Sequence, residues 1–307
     1  MSVITTQNLT MQFGVQRALD SLNLEVPSGV TGLVGANGAG KTTLMSIALG
    51  LRGQTSGSIS VLGMDPAREA AQLRSVVGYG PERNVLPEDM PASDFVKHLS
   101  EVRGMPAGEA KGRASDALWL VGLGEERFRA LGTMSTGQRQ RVKLAQAIAA
   151  DPSLVLLDEP TDGLDPVQRD EMLALIRQIS NDYGIDVLLS SHLLEEVERI
   201  CDNIVALDSG RLVAQGPLTS LVGDTSTITA ELVEIPDRPN AIEGVEQRLR
   251  QAGLDVQRDL NLLRVTGDDP QVTLDAVRDA IAAEQARIRR VSTDRRTLED
   301  LFTEVPA

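Results

Sequence analysis

The sequence lacks features that would place it in a membrane core, in an oxidising compartment or on a nucleic-acid polymer. Cysteine occurs once in 307 residues, at Cys201, so an internal disulfide is excluded and a reducing compartment is indicated. No segment approaches the roughly 18 consecutive apolar residues of a membrane-spanning helix. Acidic residues outnumber basic ones by 44 to 30, and the net charge of −14 disfavours binding to phosphate polymers.

The first residues also lack a basic segment followed by an apolar one, which is the pattern of a secretory signal. We therefore expect a cytoplasmic protein. A length of 307 residues predicts one large domain and one smaller domain.

The apolar pattern of the first part of the chain predicts an α/β core. Short β segments separated by turns occupy about the first sixty residues, at 3–11, 18–26, 30–34 and 58–62. Helical segments follow Gly78, near residues 92–103, 107–121 and 138–150. Unbroken aliphatic strands at residues 154–157, 187–190 and 204–207 then alternate with helical stretches. Strands of this kind form a parallel sheet that is covered on both faces.

A stretch rich in Gly, Pro, Ser and Thr at residues 216–225 predicts a domain boundary, with domains at 1–221 and 222–307. The second part has the order strand, helix, strand, strand, helix, strand, which is that of a ferredoxin-like α+β fold. A short acidic helix at residues 298–303 follows. We expect this domain to be regulatory or to support dimerisation.

A phosphate-binding loop is the strongest motif. Residues 35–43 fit the pattern GxxxxGK[ST] between a predicted strand and a predicted helix. Glycines let the backbone curl so that N–H groups face phosphate oxygens. Lys41 supplies a cation for the outer phosphates, and the Thr42 hydroxyl is placed to bind magnesium.

Two carboxylates follow the aliphatic strand at residues 154–157. Asp158 then lies at the carboxyl end of a buried strand, where α/β sheets place their ligands, and it can hold magnesium through water. The adjacent Glu159 is placed to orient or deprotonate an attacking water. A third motif, Ser135-Thr136-Gly137-Gln138, caps a helix about twenty residues before this strand and is a second helix start suited to phosphate.

Together these motifs resemble those of the ATP-binding subunits of ATP-binding cassette (ABC) transporters, over residues 3–221. Residues 35–43 match the Walker A loop, residues 135–138 the LSGGQ signature in the variant form STGQ, and residues 154–159 the Walker B strand. The resemblance implies a P-loop cassette with a parallel sheet core, an N-terminal antiparallel β subdomain and a helical subdomain at about residues 83–150. It also implies a D-loop at residues 162–165, where Asp162 and Gly163 replace the commoner Ser and Ala.

The resemblance assigns roles to further residues. His192, after a buried strand, matches the switch histidine that contacts the γ-phosphate. Phe13 takes the place of the aromatic ring that stacks on adenine, which is commonly Tyr, and its π face preserves stacking. Glu82 takes the place of the Q-loop glutamine; it can approach magnesium through water but adds negative charge beside the phosphates.

The complete predicted site has catalytic residues Glu159 and His192 and metal-contacting residues Thr42, Glu82 and Asp158. Its nucleotide-binding residues are Phe13, Gly35, Ala36, Asn37, Gly38, Ala39, Gly40, Lys41, Thr42, Thr43, Ser135, Gly137, Gln138 and Asp165.

The resemblance implies ATP and Mg²⁺ as cofactors and a head-to-tail dimer in which the signature of one subunit covers the ATP of the other. It also implies a multi-span permease partner and a place on the cytoplasmic face of the membrane, with no nucleic acid. Three features resemble those of exporters whose membrane domains are separate subunits. They are Glu82, the STGQ form of the signature and the tail at residues 298–302. A homodimer and a pairing with a second ATPase subunit both remain open.

The docking surface for the permease is expected at residues 83–98, including Met90 and Phe95, although packing of the helical insertion explains these apolar residues equally well. One alternative function is a soluble ABC ATPase with a mechanical role on ribosomes or DNA, but such proteins need a second cassette or a long coiled-coil insertion. Another is a catalytically silent binding module, but such modules are expected to lose Lys41, Asp158 or Glu159.

Overall fold

A computed structural model describes residues 2–82, 86–234 and 236–303, without the side chains of residues 223–226, 294–296 and 302–303. Its internal packing divides the chain into two compact units. One runs to Leu218 and includes Leu301, and the other is Thr219–Asp300. Each unit has its own sheets and is described by itself.

The strands are β1 (Ser2–Phe13), β2 (Gln16–Leu22), β3 (Glu25–Pro27), β4 (Val30–Val34), β5 (Ser56–Val61), β6 (Val77–Gly80), β7 (Leu154–Asp158), β8 (Asp186–Ser191), β9 (Asn203–Asp208), β10 (Arg211–Pro217), β11 (Gly223–Val233), β12 (Asp255–Asp259), β13 (Leu262–Thr266) and β14 (Arg287–Arg296). The α-helices are α1 (Lys41–Ala48), α2 (Ala70–Val76), α3 (Ala92–Val102), α4 (Ala107–Leu120), α5 (Thr136–Ile148), α6 (Pro166–Tyr183), α7 (Leu194–Ile200), α8 (Leu218–Leu221), α9 (Ala241–Gln251), α10 (Pro270–Ala283) and α11 (Leu298–Thr303).

An antiparallel sheet lies at the N-terminus, where β1 pairs with β2, β3 and β5. The prediction of one continuous strand over residues 18–26 is wrong. Ser21 adopts a left-handed φ of 52°, and the Asn23 side chain accepts a hydrogen bond from the Asn8 N–H at 2.8 Å. The chain therefore turns between β2 and β3, and both strands pair with β1.

The central sheet has the order β10-β9-β4-β8-β7-β6. Its five strands from β9 to β6 are parallel, as the aliphatic runs predict, whereas β10 is an antiparallel edge strand that the sequence analysis did not identify. Every residue of β4 and of β7 is buried. Helices α1 and α5 contact β7, α7 contacts β4, and Leu33 of β4 packs in the core that includes the N-terminal sheet. Because β4, β8 and β7 are adjacent and parallel, their carboxyl ends lie side by side at one edge of the sheet.

Helices α3, α4 and α5 form the predicted helical part, each starting within two residues of the predicted position. Helix α5 begins with a capping box: the Gln138 N–H donates to the Ser135 hydroxyl at 3.2 Å, and the Ser135 N–H donates to Gln138 Oε1 at 3.1 Å. This reciprocal cap fixes the start of α5 at the STGQ motif.

The second unit has the predicted ferredoxin-like topology. Its antiparallel sheet has the order β12-β13-β11-β14, with α9 between β11 and β12 and α10 between β13 and β14. The two helices bury Val245, Leu249 and Val277 against Ile228 and Leu232 of β11, which gives this unit a separate apolar core. None of the described helices has the length and apolar character needed to cross a membrane.

Candidate functional site

A cavity of about 520 Å³ lies at the carboxyl edge of the central sheet. The side chains and backbone around it come from β1, β2, the loop after β4, α1 and the segments after β6, β7 and β8. Its lining residues are Phe13, Gln16, Ala18, Asn37, Gly38, Gly40, Lys41, Thr42, Thr43, Glu82, Glu159, Asp162 and His192. The fold therefore brings the predicted phosphate loop, Glu82, Glu159 and His192 to one place.

The loop between β4 and α1 has a backbone that only glycine tolerates at two points. Gly40 has φ +106°, and a Cβ there would lie 2.6 Å from the Ala18 carbonyl oxygen. A Cβ on Gly35 would lie 2.2 Å from the Leu207 carbonyl oxygen. The loop therefore packs directly on neighbouring backbone, which holds it in the tight curl of an anion-binding loop.

Lys41, the first residue of α1, is buried at the floor of the cavity with 6% of its surface exposed. Its ammonium donates to the Gly35 carbonyl oxygen at 2.7 Å and lies 3.5 Å from Glu159 Oε1. The loop carbonyl and the carboxylate thus hold the cation next to the loop N–H groups, where it can meet a phosphate.

Asp158 and Glu159 are joined through Ser190, at the adjacent end of β8. The Ser190 hydroxyl donates to Asp158 Oδ1 at 2.7 Å and accepts from the Glu159 N–H at 2.9 Å. All three residues are buried. Sequence reasoning did not assign a role to Ser190, because its proximity to Asp158 depends on the pairing of β7 with β8.

Glu159 has a strained backbone with φ +48°, in the left-handed region that few side chains adopt. Its Oε2 lies 2.8 Å from Nδ1 of His192, while Oε1 faces Lys41. Because an ionised carboxylate only accepts hydrogen bonds, Nδ1 carries the proton in this contact and Nε2 remains for another partner. One carboxylate is therefore held between a cation and an imidazole.

Two of the residues predicted for magnesium, Thr42 and Asp158, lie side by side. Thr42 Oγ1 lies 3.5 Å from Asp158 Oδ1, and Oδ2 of Asp158 is buried with no hydrogen-bond partner among the described residues. An unsatisfied buried carboxylate oxygen beside a hydroxyl fits a hard cation. No group of three His, Cys, Asp or Glu side chains within the described ranges could hold a metal, so phosphate oxygens would have to supply further ligands.

Phe13 marks the other end of the cavity. It is 42% exposed, and the Arg52 guanidinium lies 5.4 Å from its ring centroid. One face of the ring thus contacts a cation. Gln16 and Ala18 line the cavity beside it, although sequence analysis named neither as a site residue. In the sequence, the only feature that points to Gln16 and Ala18 as site residues is their closeness to Phe13.

The signature residues and Asp165 lie elsewhere: the described cavity lining includes none of Ser135, Gly137, Gln138 and Asp165. Asp165 is the N-cap of α6, where its Oδ1 accepts from the Gln168 N–H at 2.9 Å. Of the loop residues, Gly35, Ala36 and Ala39 also lie outside the described lining. Gly35 nevertheless takes part through its carbonyl, which accepts from Lys41.

Comparisons with known proteins agree with this geometry. The family model described as "ABC transporter" matches residues 19–162. The bacitracin transport ATP-binding protein BcrA of Enterococcus faecalis is 36% identical over 220 residues, which are 71% of this chain and 70% of BcrA. The methionine import ATP-binding protein MetN of Mesorhizobium japonicum is 35% identical over 75% of this chain and 65% of MetN.

Similarity to some relatives extends into the second unit. The daunorubicin/doxorubicin resistance ATP-binding protein DrrA of Streptomyces peucetius is 29% identical over 97% of this chain and 91% of DrrA. A solved ATP-binding subunit of an ABC transporter superposes with a TM-score of 0.63 at 28% identity, over 72% of this chain and 92% of that one. The chain therefore belongs to the ABC transporter family as an ATP-binding subunit, an ATPase with a P-loop cassette fold.

Proposed function

We propose that this ATPase powers a membrane exporter and that the 520 Å³ cavity is its site of ATP binding and hydrolysis. The observation that carries the proposal is the cluster of Lys41, Glu159 and His192 beside the glycine-rich loop, with contacts of 3.5 Å and 2.8 Å to the same carboxylate. This cluster combines a phosphate-binding cation with a base and a polar partner.

Each group has a distinct task in this proposal. The N–H groups of residues 35–43 and the Lys41 ammonium bind the phosphates, and the ring of Phe13 stacks on adenine. Glu159 orients or deprotonates the attacking water, because its carboxylate lines the cavity and lies 3.5 Å from the Lys41 ammonium that binds the phosphates. His192, held by Glu159, contacts the γ-phosphate through its remaining nitrogen.

Thr42 and Asp158 would hold Mg²⁺, with Glu82 close enough to the cavity to contact it through water. The ion supplies positive charge that neutralises the phosphates. The arrangement of the residues supports this site: Ser190 bonds to one oxygen of Asp158, and the other oxygen is buried with no hydrogen-bond partner among the described residues.

A second ATPase subunit completes the site in this proposal. Ser135 and Gly137 lie outside the cavity, at the N-terminus of α5, where free N–H groups favour phosphate. A head-to-tail partner would bring its own Ser135 and Gly137 over the γ-phosphate. Asp165, at the start of α6, would lie at the same interface.

Export is supported by DrrA, whose name concerns drug resistance, since removal of a drug from the cell gives resistance. The name of BcrA concerns transport of bacitracin and states no direction. DrrA matches nearly the whole chain, whereas the import protein MetN covers 75% of it. The partner would be a multi-span permease, which would hold this subunit at the cytoplasmic face of the membrane. Residues 86–98, with the half-buried Met90 and Phe95, are the described part of the docking surface; residues 83–85 lie outside the described part of the chain.

Two substitutions test the proposed site. Lys41→Ala removes the phosphate-binding cation and should weaken ATP binding, whereas Glu159→Gln should retain ATP binding and slow hydrolysis by about 10²-fold or more. Titration with a fluorescent ATP analogue and steady-state phosphate release measure the two effects. Unchanged hydrolysis in Glu159→Gln would overturn the role of Glu159, and co-purification with no polytopic membrane protein would overturn the transport assignment.

A further inference from the structure

A buried carboxylate on α7, that of Glu196, joins the segment that follows β7 to the end of β8. Glu196 is 3% exposed, and its Oε2 accepts hydrogen bonds from the hydroxyls of Thr161 and Ser191, each at 2.8 Å. Nε of Arg169, on α6, lies 3.2 Å from Oε1, an ion pair in which neither atom has a hydrogen-bond partner in the described part of the chain. Two hydroxyl donors and one cation therefore surround this charge.

The contacts of Glu196 lie outside the cavity, whose described lining includes none of Glu196, Thr161 and Ser191. Burial of a carboxylate is costly unless it is paired and hydrogen-bonded. Even a well-paired buried charge gives little net stability compared with apolar residues of similar size. Stability alone therefore explains this carboxylate poorly, and its position between two segments of the site points to another role.

The two hydroxyl donors differ in how their backbones are held. Ser191 is the last residue of β8 and pairs with Val34 of β4, so the sheet holds it without its hydroxyl. Thr161 lies in a turn, outside any strand or helix. In that turn the Asp162 N–H donates to the Glu159 carbonyl oxygen at 3.2 Å, a contact within the same segment. The Thr161 hydroxyl is thus the group that attaches this turn to α7.

This turn begins at Glu159, the residue with the left-handed φ of 48°. A backbone in this region relaxes unless its surroundings hold it on both sides. Ser190 accepts the Glu159 N–H at 2.9 Å, which holds the backbone on the N-terminal side. The bond from Thr161 to Glu196 holds the chain two residues further on, and so restrains Glu159 from the C-terminal side.

We propose that Glu196 is a positioning residue for ATP hydrolysis. Through the Thr161 hydroxyl it holds the backbone that follows Glu159, so that the Glu159 carboxylate keeps its place in the cavity beside Lys41 and His192. Loss of this bond should let Glu159 relax while the phosphate loop stays intact, so the rate of hydrolysis should fall and ATP binding should not. The inference rests on the proposed role of Glu159 and extends it by naming what holds this residue.

Thr161→Val and Ser191→Ala form a matched pair, because each deletes one hydroxyl bond of 2.8 Å to the same oxygen of Glu196. Thr161→Val should lower kcat about tenfold and leave the affinity for a non-hydrolysable ATP analogue within about twofold, whereas Ser191→Ala should retain nearly normal kcat. Thr161→Ser keeps the hydroxyl and should restore hydrolysis. Phosphate release and isothermal titration calorimetry measure the two quantities.

A double-mutant cycle identifies Glu196 as the partner of Thr161. Glu196→Ala should lower kcat about as much as Thr161→Val, and the double variant should hydrolyse ATP no more slowly than Glu196→Ala, since the acceptor is already absent. Circular dichroism establishes that each variant is folded; if Glu196→Ala is not, the comparison of Thr161→Val with Thr161→Ser and Ser191→Ala decides.

Normal kcat in Thr161→Val, or equal losses in Thr161→Val and Ser191→Ala, would overturn the inference. So would multiplying effects of Thr161→Val and Glu196→Ala in the double variant. If Glu159→Gln hydrolyses ATP at the normal rate in the same assay, the proposed role of Glu159 fails instead.

Discussion

Ser190 connects Asp158 with Glu159, and its hydroxyl bonds to both residues. It donates to Asp158 and accepts from the Glu159 N–H, which helps to hold Glu159 at its left-handed φ of 48°. The strained residue is the proposed base, and its conformation depends on a side chain from the neighbouring strand β8. A strained backbone conformation of this kind persists only where surrounding contacts hold the residue in it.

Ser190→Ala should therefore lower the rate of ATP hydrolysis about tenfold and the free energy of unfolding by about 1–3 kcal/mol, because it leaves a buried N–H without its acceptor. Ser191→Ala is the control: the Ser191 hydroxyl bonds to Glu196 instead of to Asp158 or Glu159. The Ser191→Ala variant should have a lower free energy of unfolding but nearly the same rate of ATP hydrolysis. Phosphate release and urea denaturation measure the two quantities, and equal losses of hydrolysis in both variants would contradict the role of Ser190.

Residues of the site could be predicted where local sequence determines their geometry. The loop at residues 35–43 and the pair Asp158-Glu159 follow from a strand and a turn, and the structure places Lys41 and Glu159 together as expected. Ser190 and Gln16 could not be assigned a role in this way. Their contacts arise from strand pairing and helix packing between segments distant in the sequence, and no local pattern encodes these.

At the scale of elements, the sequence predicts most accurately the strands that are buried on both faces. Residues 30–34 have the predicted bounds, and the predicted strand at residues 154–157 lacks only Asp158. Aliphatic runs between turn residues define such strands well. The order of elements in the second unit also followed from alternating apolar and polar positions, with ends that differ by a few residues.

Short elements were missed for a different reason. Strand β6 has four residues, including two glycines, and β10 is an edge strand whose residues are mostly half-exposed. Neither segment shows a clear apolar periodicity. Segment β6 is a strand because it pairs with β7, and β10 is a strand because it pairs with β9. Helix α7 has seven residues and depends on burial of Val197 and Ile200 against the sheet.

At the scale of the whole molecule, we propose that the chain comprises a cassette at residues 1–221 and a separate regulatory or dimer-stabilising domain at 222–307. The second unit has its own apolar core, and the described cavity lining comes only from residues before Leu218. The described cavity lining and the apolar core of the second unit therefore consist of separate sets of residues.

A chain ended near Gly223 should still bind ATP, because the cavity residues remain, but it should lose subunit association or control of hydrolysis. Circular dichroism first establishes that the shortened chain is folded, and nucleotide titration and sizing then follow. Loss of ATP binding by a folded, shortened chain would show that the second unit belongs to the nucleotide site.

The central claim is that two subunits share each ATP, with the cavity of one covered by Ser135 and Gly137 of the other. The most direct measurement is the molar mass of the Glu159→Gln protein by light scattering during size exclusion, with and without ATP and Mg²⁺. We expect a dimer with the nucleotide and a monomer without it, and Ser135→Arg should abolish the dimer by steric and charge conflict. A dimer equally populated with and without ATP, and unaffected by Ser135→Arg, would contradict this account.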